Sequence, residues 1–247
     1  MGVNSVKLVS FSGIDGAGKS TQIESLCQLL QSSGLKFARF TFWDDVVVFA
    51  KLREHASLKA FKGDKGVGSP ENPIRRRDKN VRSWYLTAVR LGFYLIDTFS
   101  LCSLIARNAD TEADFIIFDR YIYDELANLP LQFWFVRAYL RLLLMFIPKP
   151  DIALLLDAEP ESASLRKPEY PLDFVRHNRE AYLRLSRFVG MTVVPPLPVE
   201  QAAEFIRASV SQTCIQPDGA LMDVRGAYPL DPEPAKSSST GNMRTSC

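Results

Sequence analysis

Gly13-Ile14-Asp15-Gly16-Ala17-Gly18-Lys19-Ser20 is the stretch on which the fold turns, because it satisfies G-x-x-x-x-G-K-[ST] at every fixed position. An apolar run, Lys7–Phe11, precedes it, and a segment with helical periodicity, Lys19–Gln31, follows. In that setting glycines let successive N–H groups converge on phosphate oxygens, and the helix N-terminus adds its positive end. The candidate cofactor-binding residues are therefore Gly13, Ile14, Asp15, Gly16, Ala17, Gly18, Lys19, Ser20 and Thr21. Lys19 would carry a charge to the β- and γ-phosphates of ATP, and the Ser20 hydroxyl would ligate Mg2+.

Outward from this loop, short apolar runs alternate with longer helical patterns. Strands are expected at Lys7–Phe11, Lys36–Phe42, Phe115–Phe118, Ile152–Leu156 and Met191–Val194. Helices are expected at Lys19–Gln31, Trp84–Arg107, Leu131–Met145, Asp173–Phe188 and Val199–Ser211, with Gly34 as a stop after the first. Such alternation builds βαβ units around a parallel sheet, an α/β fold. The strands lack polar alternation, so both faces of the sheet should be covered.

The bulk numbers bound the function loosely. The chain has 247 residues, 47% apolar and 23% charged, enough for one large domain. A net charge of +2 gives no reason to expect a nucleic-acid partner. Cys27, Cys102, Cys214 and Cys247 are widely spaced, which fits a reducing, cytoplasmic compartment better than zinc or disulfides. No signal peptide is expected, and Met1-Gly2 lacks the Ser or Thr at position 6 that myristoylation favours, since Val6 stands there. The apolar stretch Leu129–Ile147 contains Pro130, Arg137 and Arg141, so it reads as a buried or dimer-facing helix, with no membrane partner expected. Residues 62–80 are basic and rich in Gly and Pro, a flexible loop, and residues 213–247 read as a disordered tail. His55 and His177 look like surface or structural residues.

A second motif narrows the class. Phe115-Ile-Ile-Phe-Asp119-Arg120-Tyr121 is a buried strand ending in an acid and a base, at the sheet edge where open α/β folds bind ligands. Asp119 could hold the Mg2+ water shell, and Arg120 could clamp an acceptor phosphate through its planar fork. No N-K-x-D guanine motif appears, which argues against a GTPase.

These runs resemble the thymidylate kinase family. Phe11 to Gln22 is similar to the opening of its members, Asp119-Arg120-Tyr121 to their D-R-Y, and Pro150 to Asp157 with Pro160-Glu161 and Ala163 to their fourth-strand motif. Leu165-Arg166-Lys167 and Phe174 to Tyr182 look like the lid and the helix after it, so the likeness covers residues 5 to 210. It implies a P-loop kinase three-layer αβα sandwich, with a five-stranded, mostly parallel sheet and a short lid at 164–173, in one domain of residues 1–212. It further implies ATP and Mg2+ as cofactors, a small nucleotide as substrate, most simply dTMP converted to dTDP, and a homodimer packed through helices. Asp15 would accept from the sugar 3′-hydroxyl, and Arg120 would bind the acceptor phosphate. Where some members carry an arginine in the loop this chain has Ala17, so the catalytic cation should be Arg166, with Lys167 beside it.

Three departures bear on the base. Ser in the family's D-R-Y-x-x-S run is replaced by Asp124. Its Phe-x-x-x-Arg, whose ring stacks on thymine, becomes Phe93-Tyr-Leu-Ile-Asp97, with Arg90 one turn earlier. An aspartate accepts hydrogen bonds and suits an amino-bearing base better than the thymine carbonyl. Trp43-Asp44-Asp45 stands where the family commonly has an Arg-Glu-Pro-like run. Three functions stay open on sequence alone: a thymidylate-kinase-like enzyme, a related P-loop kinase for another monophosphate or a deoxynucleoside, and a nucleotide-binding regulatory module.

Overall fold

The computed structural model describes residues 6–48, 84–109 and 112–215. Five strands, β1 (Lys7–Ser12), β2 (Phe37–Thr41), β3 (Phe115–Asp119), β4 (Ile152–Leu156) and β5 (Thr192–Val194), form one sheet in the order β2-β3-β1-β4-β5. Every pairing is parallel, which sharpens the expected mostly parallel sheet to a wholly parallel one. Seven α-helices lie among the described residues: α1 (Lys19–Ser32), α2 (Trp84–Ala109), α3 (Ile122–Leu126), α4 (Trp134–Leu144), α5 (Pro160–Arg166), α6 (Leu172–Val189) and α7 (Val199–Ile215).

Strand alternation sends side chains to two separate cores. Val9, Phe11, Ile117 and Leu154 meet Ile23, Leu26 and Leu30 of α1 and Ile206 and Val210 of α7. Leu8, Ile116, Phe118 and Leu155 meet Leu101 of α2, Leu126 of α3, Leu140 and Leu143 of α4, and Leu185 of α6. Each fully buried Leu, Ile or Phe contributes about 1.5–3 kcal/mol of transfer free energy, so both helical layers are held by area, as a three-layer αβα sandwich requires.

Boundaries differ from the sequence expectation where side chains intervene. The second strand stops at Thr41 because Asp45 turns back to accept the Thr41 N–H at 2.6 Å, and Phe42–Val46 wind into a single π-helical turn. Helix α4 starts at Trp134, three residues later than expected, behind a turn at Pro130. The short helices α3 and α5 were not anticipated; both are too brief for periodicity to reveal. Helix α7 runs to Ile215, past the expected boundary at 212. The basic loop at 62–80, His55 and the chain after Ile215 lie outside the described residues. No helix among the described residues is long and apolar enough to cross a membrane.

Candidate functional site

The loop between β1 and α1 is shaped by what leans on it. At Gly13, φ is 143° and a Cβ would come within 2.5 Å of the Leu156 carbonyl oxygen at the end of β4. At Gly16, φ is 82° and a Cβ would run into the Ala163 carbonyl of α5. Only glycine meets both demands, a left-handed backbone and a wall at contact distance. The first turn of α1 carries no acidic residue and no side-chain cap, and Ser20 and Thr21 are exposed there. Its positive end is thus open to an anion.

Lys19 is buried, and its Nζ donates to the carbonyl oxygens of Gly13 and Ile14, both at 2.9 Å. Burial, and next the nearby Arg120 charge, lower its pKa to about 8. Charge is costly here without a counter-anion, the state expected of a lysine built to meet phosphate.

The end of β3 lies beside this loop. Phe11 of β1 is level with Asp119, and the Arg120 N–H donates to the Phe11 carbonyl at 2.9 Å. Arg120 has φ of 68°, the left-handed region that costs a non-glycine residue about 1–2 kcal/mol. Its side chain shows what holds it there. Nη2 forms an ion pair with Asp15 of the loop, and Nη1 lies 3.3 Å from Asp124 Oδ1. Burial works against the Arg120 charge, but Asp124, then Tyr182, Asp15 and Asp119, outweigh it and raise its pKa.

Asp124 is the fixed point of this cluster. Its side chain is 3% exposed and accepts from Ser12 Oγ at 2.6 Å, Tyr182 Oη at 2.6 Å and the Tyr121 N–H at 3.2 Å, besides Arg120. A buried carboxyl group that accepts from four donors ties them together and holds them in place. From sequence Asp124 is legible only as a departure from the family's serine, because Arg120 lies before the helix that carries Asp124 and no helical spacing links the two. Asp119, in turn, is met by Arg39 of β2 at 3.3 Å, a partner 80 positions away that no local pattern marks.

The expected lid segment splits at the end of α5. Arg166 is exposed and its Nε donates to the Ser162 carbonyl at 3.3 Å. Its neighbour Lys167 instead faces the loop, with Nζ 3.7 Å from Asp15 Oδ1 and 3.4 Å from Glu169. Arg179 of α6 grips Asp157, just past β4, through two bonds of 2.7 Å, and so fixes α6 against the same sheet edge.

The expected base-reading residues lie on α2. Phe93 is half-buried, while Asp97 is fully buried and accepts the Val48 N–H at 3.1 Å. Arg90 belongs to the same helix, but its side chain is outside the described residues. Among the described residues no three His, Cys, Asp or Glu side chains gather as a metal cage. Mg2+ in phosphate sites takes one or two protein ligands and fills its octahedron with phosphate oxygens and water, so the exposed Ser20 with Asp119 suits it.

No family model matches the chain. It is 25% identical over 211 residues to a probable thymidylate kinase of Archaeoglobus fulgidus, covering 81% of this chain and 92% of that protein. It is 28% identical over 164 residues to thymidylate kinases of Xanthomonas oryzae pv. oryzae, covering 64% of this chain and 59% of those proteins. The archaeal likeness thus spans nearly the whole relative, the bacterial one less than two thirds.

Proposed function

We propose that the chain is a nucleoside monophosphate kinase, transferring the γ-phosphoryl group of MgATP to dTMP. The observation that supports this reading is the Arg120–Asp15 ion pair, since it sets the strand-end arginine directly beside the Gly-rich loop. The similarity to thymidylate kinases adds the substrate class and dTMP as the first acceptor to test.

The chemistry asks little of a general base, because the attacking phosphate oxygen of the acceptor is already anionic. It forms a bond to the γ-phosphorus as the bond to the bridging oxygen breaks, and ADP leaves with the electron pair. The obstacle is repulsion: two unit charges 4 Å apart at an effective dielectric near 20 cost about 4 kcal/mol. Lys19 would leave the Gly13 and Ile14 carbonyls for the β- and γ-phosphates, with the N–H groups of residues 13–21 around them. Arg120 would hold the acceptor phosphate, pre-set by Asp124. Lys167, already turned toward Asp15, would join Arg166 as the lid's cations. Mg2+, carried by Ser20 and Asp119, would supply further charge neutralisation between the phosphates. Asp15 would pass from Arg120 and Lys167 to the sugar 3′-hydroxyl, and Phe93 would stack on the base, with Arg90 and Asp97 lining that pocket. We assign these roles within one domain, residues 1–212 extended to the end of α7, with 164–173 as its lid.

A homodimer would be built on α2. Its outward face carries Leu95, Ile96 and the 75% exposed Phe99, with Gly92 and Ser103 as small neighbours and no charge among them. In the dimer this face would meet its own copy about a two-fold axis.

The test is ADP release from purified protein with MgATP and, in turn, each nucleoside monophosphate and deoxynucleoside. The expected outcome is turnover that depends on dTMP. Turnover with another acceptor only would keep the kinase and replace its substrate; ATP binding with no acceptor-dependent ADP would leave a nucleotide-binding module.

A further inference from the structure

Helix α4 has two apolar sides. Val136, Leu140 and Leu143 bury one in the core. On the other, Trp134 is 74% exposed, Leu142 53% and Met145, at the helix end, 78%. Exposed rings extend this face at both ends, Phe133 and Phe135 at the start and Phe146 after the last turn. Positions 134, 138, 142 and 145 share the outward pole of a 3.6-residue helix, while 137 and 141 lie along its flank. An apolar strip of this size in contact with water marks a surface that something covers.

The charges decide what covers it. From Glu125 to Asp151 the chain contains no intervening acid, yet Arg137, Arg141 and Lys149 are all exposed. Arg187 of α6 joins Arg141, Leu144, Met145 and Phe188 around a shallow cleft at the same edge. The Arg141 guanidinium stands over the Phe188 ring, 5.7 Å from its centre, so cation and ring lie together at this exposed edge. A second copy seated here about a two-fold axis would bring arginines to arginines, with no carboxylate of this segment between them. A nucleic acid would use the cations and leave Leu142, Met145 and Phe146 wet. An anionic lipid surface uses both, taking the apolar pole into the headgroup boundary and the flanking cations onto phosphates.

We propose that the outward face of α4 docks the protein onto an anionic phospholipid bilayer, lying in the plane of the interface. This is contact with a surface and not a span, and it departs from the sequence-based expectation of no membrane partner. It does not rest on the reaction proposed above. Trp134 and the two rings beside it would sit at the boundary, where amphipathic aromatic side chains are favoured.

Flotation of the full-length chain with vesicles tests it. The protein is expected to rise with equimolar phosphatidylcholine and phosphatidylglycerol, to stay behind with phosphatidylcholine alone, and to be released by added salt. Arg137→Glu with Arg141→Glu, and separately Trp134→Ser with Met145→Ser, should each lower the partition coefficient by about tenfold or more with the circular dichroism unchanged. Arg137 and Arg141 are both exposed and outside the core, so the charge-reversal pair decides alone if the apolar variant does not fold. Absence of flotation, equal binding to neutral vesicles, or wild-type binding by the charge-reversal pair would overturn the proposal. So would sedimentation showing that Trp134→Ser with Met145→Ser splits a dimer while vesicle binding persists.

Discussion

The two halves of the candidate site are made of different materials. The side proposed for ATP is backbone: one run from Gly13 to Thr21, bent by glycines at positive φ against Leu156 and Ala163. The side proposed for the acceptor is side chain: Arg120 after β3, Asp15 from the loop, Asp124 from α3, Tyr182 from α6 and Lys167 after α5. A backbone cradle is insensitive to most substitutions except at its glycines and its lysine. A side-chain cluster can be dismantled one member at a time, and each loss should be graded by how much of Arg120 it frees.

The largest effects should come from the two cations proposed to meet phosphate directly. Lys19→Ala and Arg120→Ala are each expected to lower kcat by about 10²–10³, the scale for removing one preformed group that stabilises transition-state charge. Steady-state rates with folding checked by circular dichroism would show it, and near-wild-type turnover in either variant would remove that residue from the mechanism.

Lys19 also separates the halves by pH. With its pKa in the free protein at about 8 and raised once phosphates bind, ATP affinity should be level below that pH. Above it the affinity should fall by up to about tenfold per unit, with a proton taken up on binding. Calorimetry in buffers of different ionisation enthalpy measures both. Affinity unchanged to pH 9 would mean that phosphate binding does not draw on the Lys19 charge.

Asp124→Asn keeps the shape and removes the charge that sets Arg120. The acceptor KM is expected to rise about tenfold, with ATP affinity held, and stability to drop by about 2 kcal/mol. This is below the 3–5 kcal/mol for stranding a fully buried partner, because Asp15 still pairs Arg120. Equal loss of ATP and acceptor binding would show that Asp124 supports the fold rather than the clamp. Smallest should be Tyr182→Phe, which deletes one of four donors to the same carboxylate and should cost about 1.5 kcal/mol by thermal unfolding.

This contrast of materials also explains what the sequence could tell. Gly13 to Thr21 is contiguous, so spacing alone picks it out as the candidate loop, and short runs rich in Val, Ile, Leu and Phe mark where the five strands lie, although the edge strand β2 carries Arg39 and Thr41 and is only partly buried. Asp119 and Arg120 were legible because a buried strand announces its own end. The Asp124–Tyr182 and Asp119–Arg39 pairs were not, since 58 and 80 positions separate their members and no local pattern encodes such meetings. The turn at Phe42–Val46 escaped for a similar reason: it depends on where the Asp45 carboxylate points. Lys167 rather than Arg166 facing Asp15 follows from where α5 stops, a difference of one residue that periodicity cannot resolve.

The most direct test of the account is the initial rate of ADP formation from MgATP as dTMP is varied, compared between the native chain and Arg120→Ala. The account predicts saturable, dTMP-dependent ADP release in the native chain and its near-complete loss in the variant, with ATP still bound by both. ADP release that ignores the acceptor, or survives loss of the Arg120 guanidinium, would contradict it.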